Sequence, residues 1–126
     1  MNSWMSGRSY GDPTGATTFV TPDSDSSLTY VFYRKESQLA QPSQLWWLVD
    51  EDGSTINDSL FLVDMSPANG IPDMPSGRHG TAYEISFADG HMEIIKLVKS
   101  LSVWADNTAG PDPDWVKLKS WTTVEK

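Results

Sequence analysis

Three sets of side chains in this sequence have the means to do chemistry: a run of oxygen donors, a histidine placed ahead of an Asp-Gly pair, and many tryptophans. Asp50, Glu51, Asp52, Asn57 and Asp58 lie close together, and their carboxylate and amide oxygens are what a hard cation such as calcium prefers. The spacing departs from the helix-loop-helix calcium pattern, which wants glycine at position 6, whereas Gly53 is at position 4 counted from Asp50. Calcium at these residues is therefore one expectation, set against a simpler one in which the loop is solvated charge. The same carboxylates have the chemistry of a glycoside hydrolase's acid and base, though any acidic domain offers such pairs.

His79 invites a role as general base or metal ligand. A His79–Asp89 dyad is argued against by length, because a strand advances ~3.3 Å per residue and ten steps along one strand span roughly 30 Å. The expected role of His79 is structural, as a hydrogen-bonding residue, and Asp89 and Gly90 are expected to form a tight turn.

Six tryptophans supply broad amphipathic surface for a core or for contact with sugars and partner proteins. Trp46 and Trp47 are adjacent, so on a strand they face opposite ways. Trp4, Trp104, Trp115 and Trp121 lie in less regular segments and are candidates for exposed contact, the last three as the expected ligand-contact set. A glycine-rich phosphate loop, a serine nucleophile elbow and a His-x-x-His pair are all missing from the sequence. No catalytic residue is assigned, and an enzymatic reading, if pursued, is that of a hydrolase.

These groups must be positioned by a chain of 126 residues, the length of one ordinary domain, taken here as 1–126. A net charge of −8 repels phosphate backbones and argues against nucleic-acid binding. The absence of cysteine removes disulfides, thiolate nucleophiles and thiolate metal sites. No run approaches the ~20 apolar residues of a membrane span, and the first residues have neither the basic nor the apolar region of a leader. The chain as written is expected to be soluble and mainly monomeric.

Along the chain, residues 1–30 read as loop with at most a short strand near Thr17 to Thr21. Tyr30-Val31-Phe32-Tyr33 reads as a short strand, and Ser37-Gln38-Leu39 as a helical turn closed by Pro42. Leu45–Val49 and Leu60–Val63 read as two buried strands joined by the acidic loop, and 66–77 as a long proline-rich connection. The alternation through Tyr83–Leu97 around Asp89-Gly90 predicts a β-hairpin. With a two-residue loop, Phe87 would face Met92, Ile85 would face Ile94, and the Phe87 side would be the core side. Residues 105–114 read as loop, and Trp115–Leu118 as a strand or short helix.

His79, the nine residues that follow it, Asp89-Gly90 and then His91, with Phe87-Ala88 leading into the turn, resemble the signature of the prepilin-type, processing-associated H-X9-DG family. Leu48–Glu51, Thr55–Asp58 and Phe61–Met65 are similar to that family's acidic loop between two strands, and Met1–Met5 and Trp121–Thr123 are similar to its terminal segments. The resemblance implies an α+β, mostly β, pilin-like head with an antiparallel sheet and long loops. It also implies a leader and an apolar stem helix in the parent protein, and this chain is expected to be the head without them. The expected role is structural or interactive, with pilin-like or secretion-system subunits as partners, at the periplasmic or extracellular face. The alternative is a small secreted carbohydrate-active hydrolase or a glycan-binding module, with polysaccharide as its partner. Calcium occurs in the heads of major pseudopilins, which this chain resembles only at the level of class.

Overall fold

The Asp-Gly turn organises the sheet, although not with the expected register. In the computed structural model, which describes residues 1–5, 30–65, 73–98 and 112–125, strand β2 (Ala82–Phe87) and strand β3 (Met92–Lys96) pair antiparallel. The Gly90 N–H donates to the Phe87 carbonyl at 3.0 Å and the Phe87 N–H to the His91 carbonyl at 2.9 Å. The loop is thus three residues long, Ala88, Asp89 and Gly90, and it closes on Gly90 at φ +95°. A type I turn followed by a left-handed residue is the usual form of a three-residue hairpin loop, and glycine takes that last position without steric penalty.

This loop length shifts the expected register by one residue. Ser86 pairs with Met92, Ile85 with Glu93, Glu84 with Ile94 and Tyr83 with Ile95. Because side chains alternate along a strand, a one-residue shift exchanges the two faces of β3. Tyr83, Ile85, Phe87 and Ile95 are buried, while Met92 and Ile94 are 67% and 69% exposed. Phe87 and Ile85 do mark the core side, but Met92 and Ile94 lie on the other.

Strand β1 (Trp46–Val49) pairs antiparallel with the free side of β2, giving a three-stranded sheet in the order β1-β2-β3. Trp46 pairs with Phe87 and Leu48 with Ser86, leaving Trp47 as an extra residue in a bulge. Trp46 is buried, whereas Trp47 and Leu48 are exposed, so β1 is not the wholly buried strand expected.

Leu60–Val63 are buried as expected but form no strand. Phe61 makes one isolated parallel bridge to Asn2. The alternate backbone N–H groups of the segment go to side chains: Leu60 to Asp58 Oδ1 at 2.6 Å and Leu62 to Asp73 Oδ2 at 2.5 Å. Carboxylates thus take bonds that a neighbouring strand would otherwise make.

Tyr30–Tyr33 likewise form no strand. Tyr30 has one antiparallel bridge to Glu125, the Val31 N–H donates to the Val124 carbonyl at 2.9 Å, and the Tyr33 N–H to the Trp4 carbonyl at 2.9 Å. The segment is pinned by two different stretches of chain instead of one strand. Single 3-10 turns follow at Glu36–Gln38 and Pro42–Gln44. Pro42 opens the second of these, where its fixed φ and missing N–H cost nothing.

Helix α1 (Pro113–Ser120) begins inside the stretch expected to be loop. Asp112 caps it, its side chain accepting from the N–H groups of Asp114 and Trp115, with Pro113 at the first helical position. Trp115 and Leu118, three residues apart, fall on one face of the helix. They join Trp46, Phe61, Val63, Tyr83, Ile85, Phe87 and Ile95 in the main core. A smaller cluster of Met5, Tyr33 and Leu45, with Val31, Leu39 and Ala88 against it, lies beside it.

Asn2 ties the parts together. Its Nδ2 donates to the carbonyls of Trp46 at 2.9 Å and Thr122 at 3.1 Å, and its N–H to the Trp47 carbonyl at 3.0 Å. The result is a small mixed α+β fold richer in strand than in helix. No helix among the described residues is long and apolar enough to cross a membrane. The expected strand near Thr17 to Thr21, residues 66–72 of the proline-rich connection, and Trp104 lie outside the described residues.

Candidate functional site

The acidic loop follows β1 and folds back on itself through its own carboxylates. Asp52 Oδ1 accepts from the Ser54 N–H at 2.9 Å and hydroxyl at 2.6 Å, and these bonds hold its carboxyl below the ordinary value. Glu51 Oε1 accepts from the Thr55 hydroxyl at 3.2 Å. Asp58 is engaged with the Leu60 N–H, Asp50 takes part through backbone bonds to Glu84 and Ser76, and Asn57 is exposed.

A residue that sequence reasoning did not include joins this loop. Asp73, only 4% exposed, carries a carboxyl raised to about 6 by burial, and Glu51 is raised to about 7 by burial and then by the Asp73 charge. Asp73 lay hidden within a proline-rich connection, with no pattern to mark it. Among the described residues no group of three or more His, Cys, Asp or Glu is arranged to hold a metal ion.

The motif residues separate as length requires. His79 precedes β2 and Asp89 follows it, so the strand stands between them. The expected hydrogen-bonding role of His79 is not what surrounds it. The imidazole is exposed, with Nε2 3.9 Å from Glu84 Oε1, beyond hydrogen-bond reach.

The histidine with close partners is His91, which the sequence offered only as the residue after the turn. Its Nδ1 lies 2.6 Å from Asp89 Oδ1 and its Nε2 3.4 Å from Glu93 Oε1. Its ring stacks on Phe87 at 4.2 Å with 5° between planes. The neighbouring Asp89 raises the His91 pKa, and His91 in turn lowers that of Asp89. The register explains the pairing, since His91 stands opposite Phe87 at the closing pair of the loop.

The tryptophans redistribute. Trp115, expected to contact ligand, is 1% exposed and is a core residue on the inner face of α1. Trp4 is also buried, its Nε1 donating to the Val63 carbonyl at 3.1 Å. Trp121 is half-buried, edge-on to Phe87 at 5.5 Å and beneath Lys117 Nζ at 4.9 Å.

Among the described residues the exposed indole belongs to Trp47 instead, at 41%. It lines a cleft of about 570 Å³ with Tyr33, Arg34, Lys35, Leu39 and Phe87, a size within the range of small-ligand sites. The adjacency of Trp46 and Trp47 in the sequence does require one of them to face away from the core. Nothing local could link that indole to a cationic pair more than ten residues earlier.

The arrangement therefore holds two separate chemistries, raised carboxyls beside the acidic loop and an aromatic cleft with a basic rim, and they share no residue. Compared with known family models, curated proteins and solved structures, the chain matches none.

Proposed function

We propose that this chain is a pilin-like head domain with a structural or interactive role, exposed at the periplasmic or extracellular face and anchored through a stem in its parent protein. One observation carries the reading beyond the motif: the outer face of the antiparallel sheet presents Leu48, Met92 and Ile94, which are exposed. Large apolar side chains exposed on one face of a sheet suit an interaction site. Glu84 and Lys96 share that face, and their charges, with the net −8 of the chain, oppose tight self-association. The partners this face suits are other pilin-like subunits or the stem helix of the parent.

The coding sequence upstream of Met1 tests the reading. It is expected to encode a prepilin cleavage site followed by an apolar helix of about 20 residues or more, and an upstream region without one would overturn it.

A hydrolase reading has one observation in its favour, the raised Glu51 and Asp73, since titratable pairs pushed from their ordinary values are a mark of acid-base sites. Asp73 is buried and bonded to the backbone, and neither carboxyl lines the cleft. A panel of glycosidase and esterase substrates decides: we expect no turnover, and turnover lost in Glu51→Gln with folding retained would establish the enzyme.

A further inference from the structure

We propose that the cleft beside β1 binds a short acidic saccharide, one whose sugar rings carry carboxylates. This inference does not rest on the pilin-like reading, and the cleft lies outside the acidic loop, while Phe87, Ala88 and Gly90 of the H-X9-DG stretch form part of its lining. The cleft lining includes buried Tyr33 and Phe87 together with Trp47, whose side chain is 41% exposed. An indole of this kind suits the C–H face of a pyranose, apolar on its plane and polar at its rim.

The rim supplies charge. Arg34 and Lys35 are both exposed and both line the cleft, in a chain with only 9 basic residues against 17 acidic ones. Among the described lining residues Glu36 is the one acidic side chain set against their two positive charges, so an occupant with carboxylates is matched there, in a chain whose net charge is otherwise −8. The Arg34 guanidinium also lies 5.5 Å from the Phe32 ring centroid, a cation–π contact, and its planar fork is the side chain best suited to pair with a carboxylate.

A peptide is disfavoured by the backbone. Peptides entering a groove beside a strand usually add a strand of their own, and the outer edge of β1 is already bonded. The Trp46 N–H donates to the Trp121 carbonyl at 3.0 Å and the Trp47 carbonyl accepts from the Asn2 N–H at 3.0 Å. What remains for recognition is side-chain stacking and charge, which a rigid carboxylated ring can use.

The test is calorimetric titration of the full chain with trigalacturonic acid, with its methyl-esterified form and with triglutamate. Trigalacturonic acid is expected to bind with a Kd on the order of 1 mM. The uncharged ester and the peptide are each expected to bind at least about tenfold more weakly, the effect of losing one charge-assisted contact. Trp47→Ala, and separately Arg34→Gln with Lys35→Gln, should each weaken trigalacturonic acid about tenfold or more. These residues are exposed and lie on different segments, and thermal melting of each variant confirms its fold. Absence of binding at concentrations on the order of 10 mM, equal binding of the ester or of triglutamate, or binding unchanged in both folded variants would each overturn the proposal.

Discussion

Both faces of the sheet carry large apolar side chains, and these have opposite surroundings. On the inner face Tyr83, Ile85, Phe87 and Ile95 are buried in one cluster with Trp115 and Leu118 of α1. On the outer face Leu48, Met92 and Ile94 are exposed. Ile94 and Ile95 are chain neighbours with identical side chains, and only the register separates them. The lesson is that apolar composition alone does not say which side of a hairpin is the core. The loop at Asp89-Gly90 decides it, because its length sets which β3 residues face α1.

The largest expected effect comes from uncovering the sealed face. Trp115→Ala removes the largest side chain that α1 places over it, and a buried aromatic deleted to alanine costs about 3–5 kcal/mol. Denaturant unfolding should show most of the stability of a marginal domain gone. A loss of under about 1 kcal/mol, the scale of a surface substitution, would mean that Trp115 does not seal the core.

A smaller effect is expected at the loop. Gly90→Val places a β-branched residue at φ +95°, with a cost on the order of 1–3 kcal/mol. Open space surrounds the position, with nothing within 4 Å of an added Cβ, so any loss reports backbone strain and not a clash. Melting identical to the parent would contradict the three-residue loop.

The contrast between sealed and open surroundings extends to carboxyls and can be sharpened by pH. Asp73 titrates at about 6 in the folded chain against an ordinary 3.8, and Glu51 at about 7 against 4.5. Over those intervals the native state binds more protons than the unfolded one, so stability falls as pH rises. Their contribution is complete below the unfolded values and is lost by about pH 7. Exposed Asp89 is shifted the other way, by His91, and its contribution is lost only on acidification. The melting temperature is expected to decline between pH 4.5 and 7.5, and Asp73→Asn to flatten that decline. A melting temperature that rises through the window would contradict burial of the pair.

How far the sequence made this legible depends on the range of the interaction concerned. The hairpin could be read because Asp89-Gly90 carries a local conformational demand between two alternating segments. Its register could not, since two-residue and three-residue loops both accommodate Asp-Gly and the choice flips β3. Strand β1 was readable from its apolar run, but Leu60–Val63 was read as a strand because Asp58 and Asp73, which take its backbone bonds, act through side chains that no periodicity records. The acidic loop was visible as a cluster, whereas its most strongly buried member, Asp73, comes from a distant segment. The cleft joins Trp47 to Arg34 and Lys35 across two 3-10 turns, a juxtaposition that exists only once the chain has folded.

The outer face as an open interaction surface is the central claim, and its most direct test compares two neighbouring substitutions in one thermal melt. Ile95→Lys buries an unpaired ammonium in the core and is expected to unfold the chain or to cost about 4 kcal/mol or more. Ile94→Lys places the same charge on exposed sheet surface and is expected to change stability by no more than about 0.5 kcal/mol. If Ile94→Lys destabilises the isolated chain as severely as Ile95→Lys, the outer face is covered in solution or the register is the other one, and the account fails.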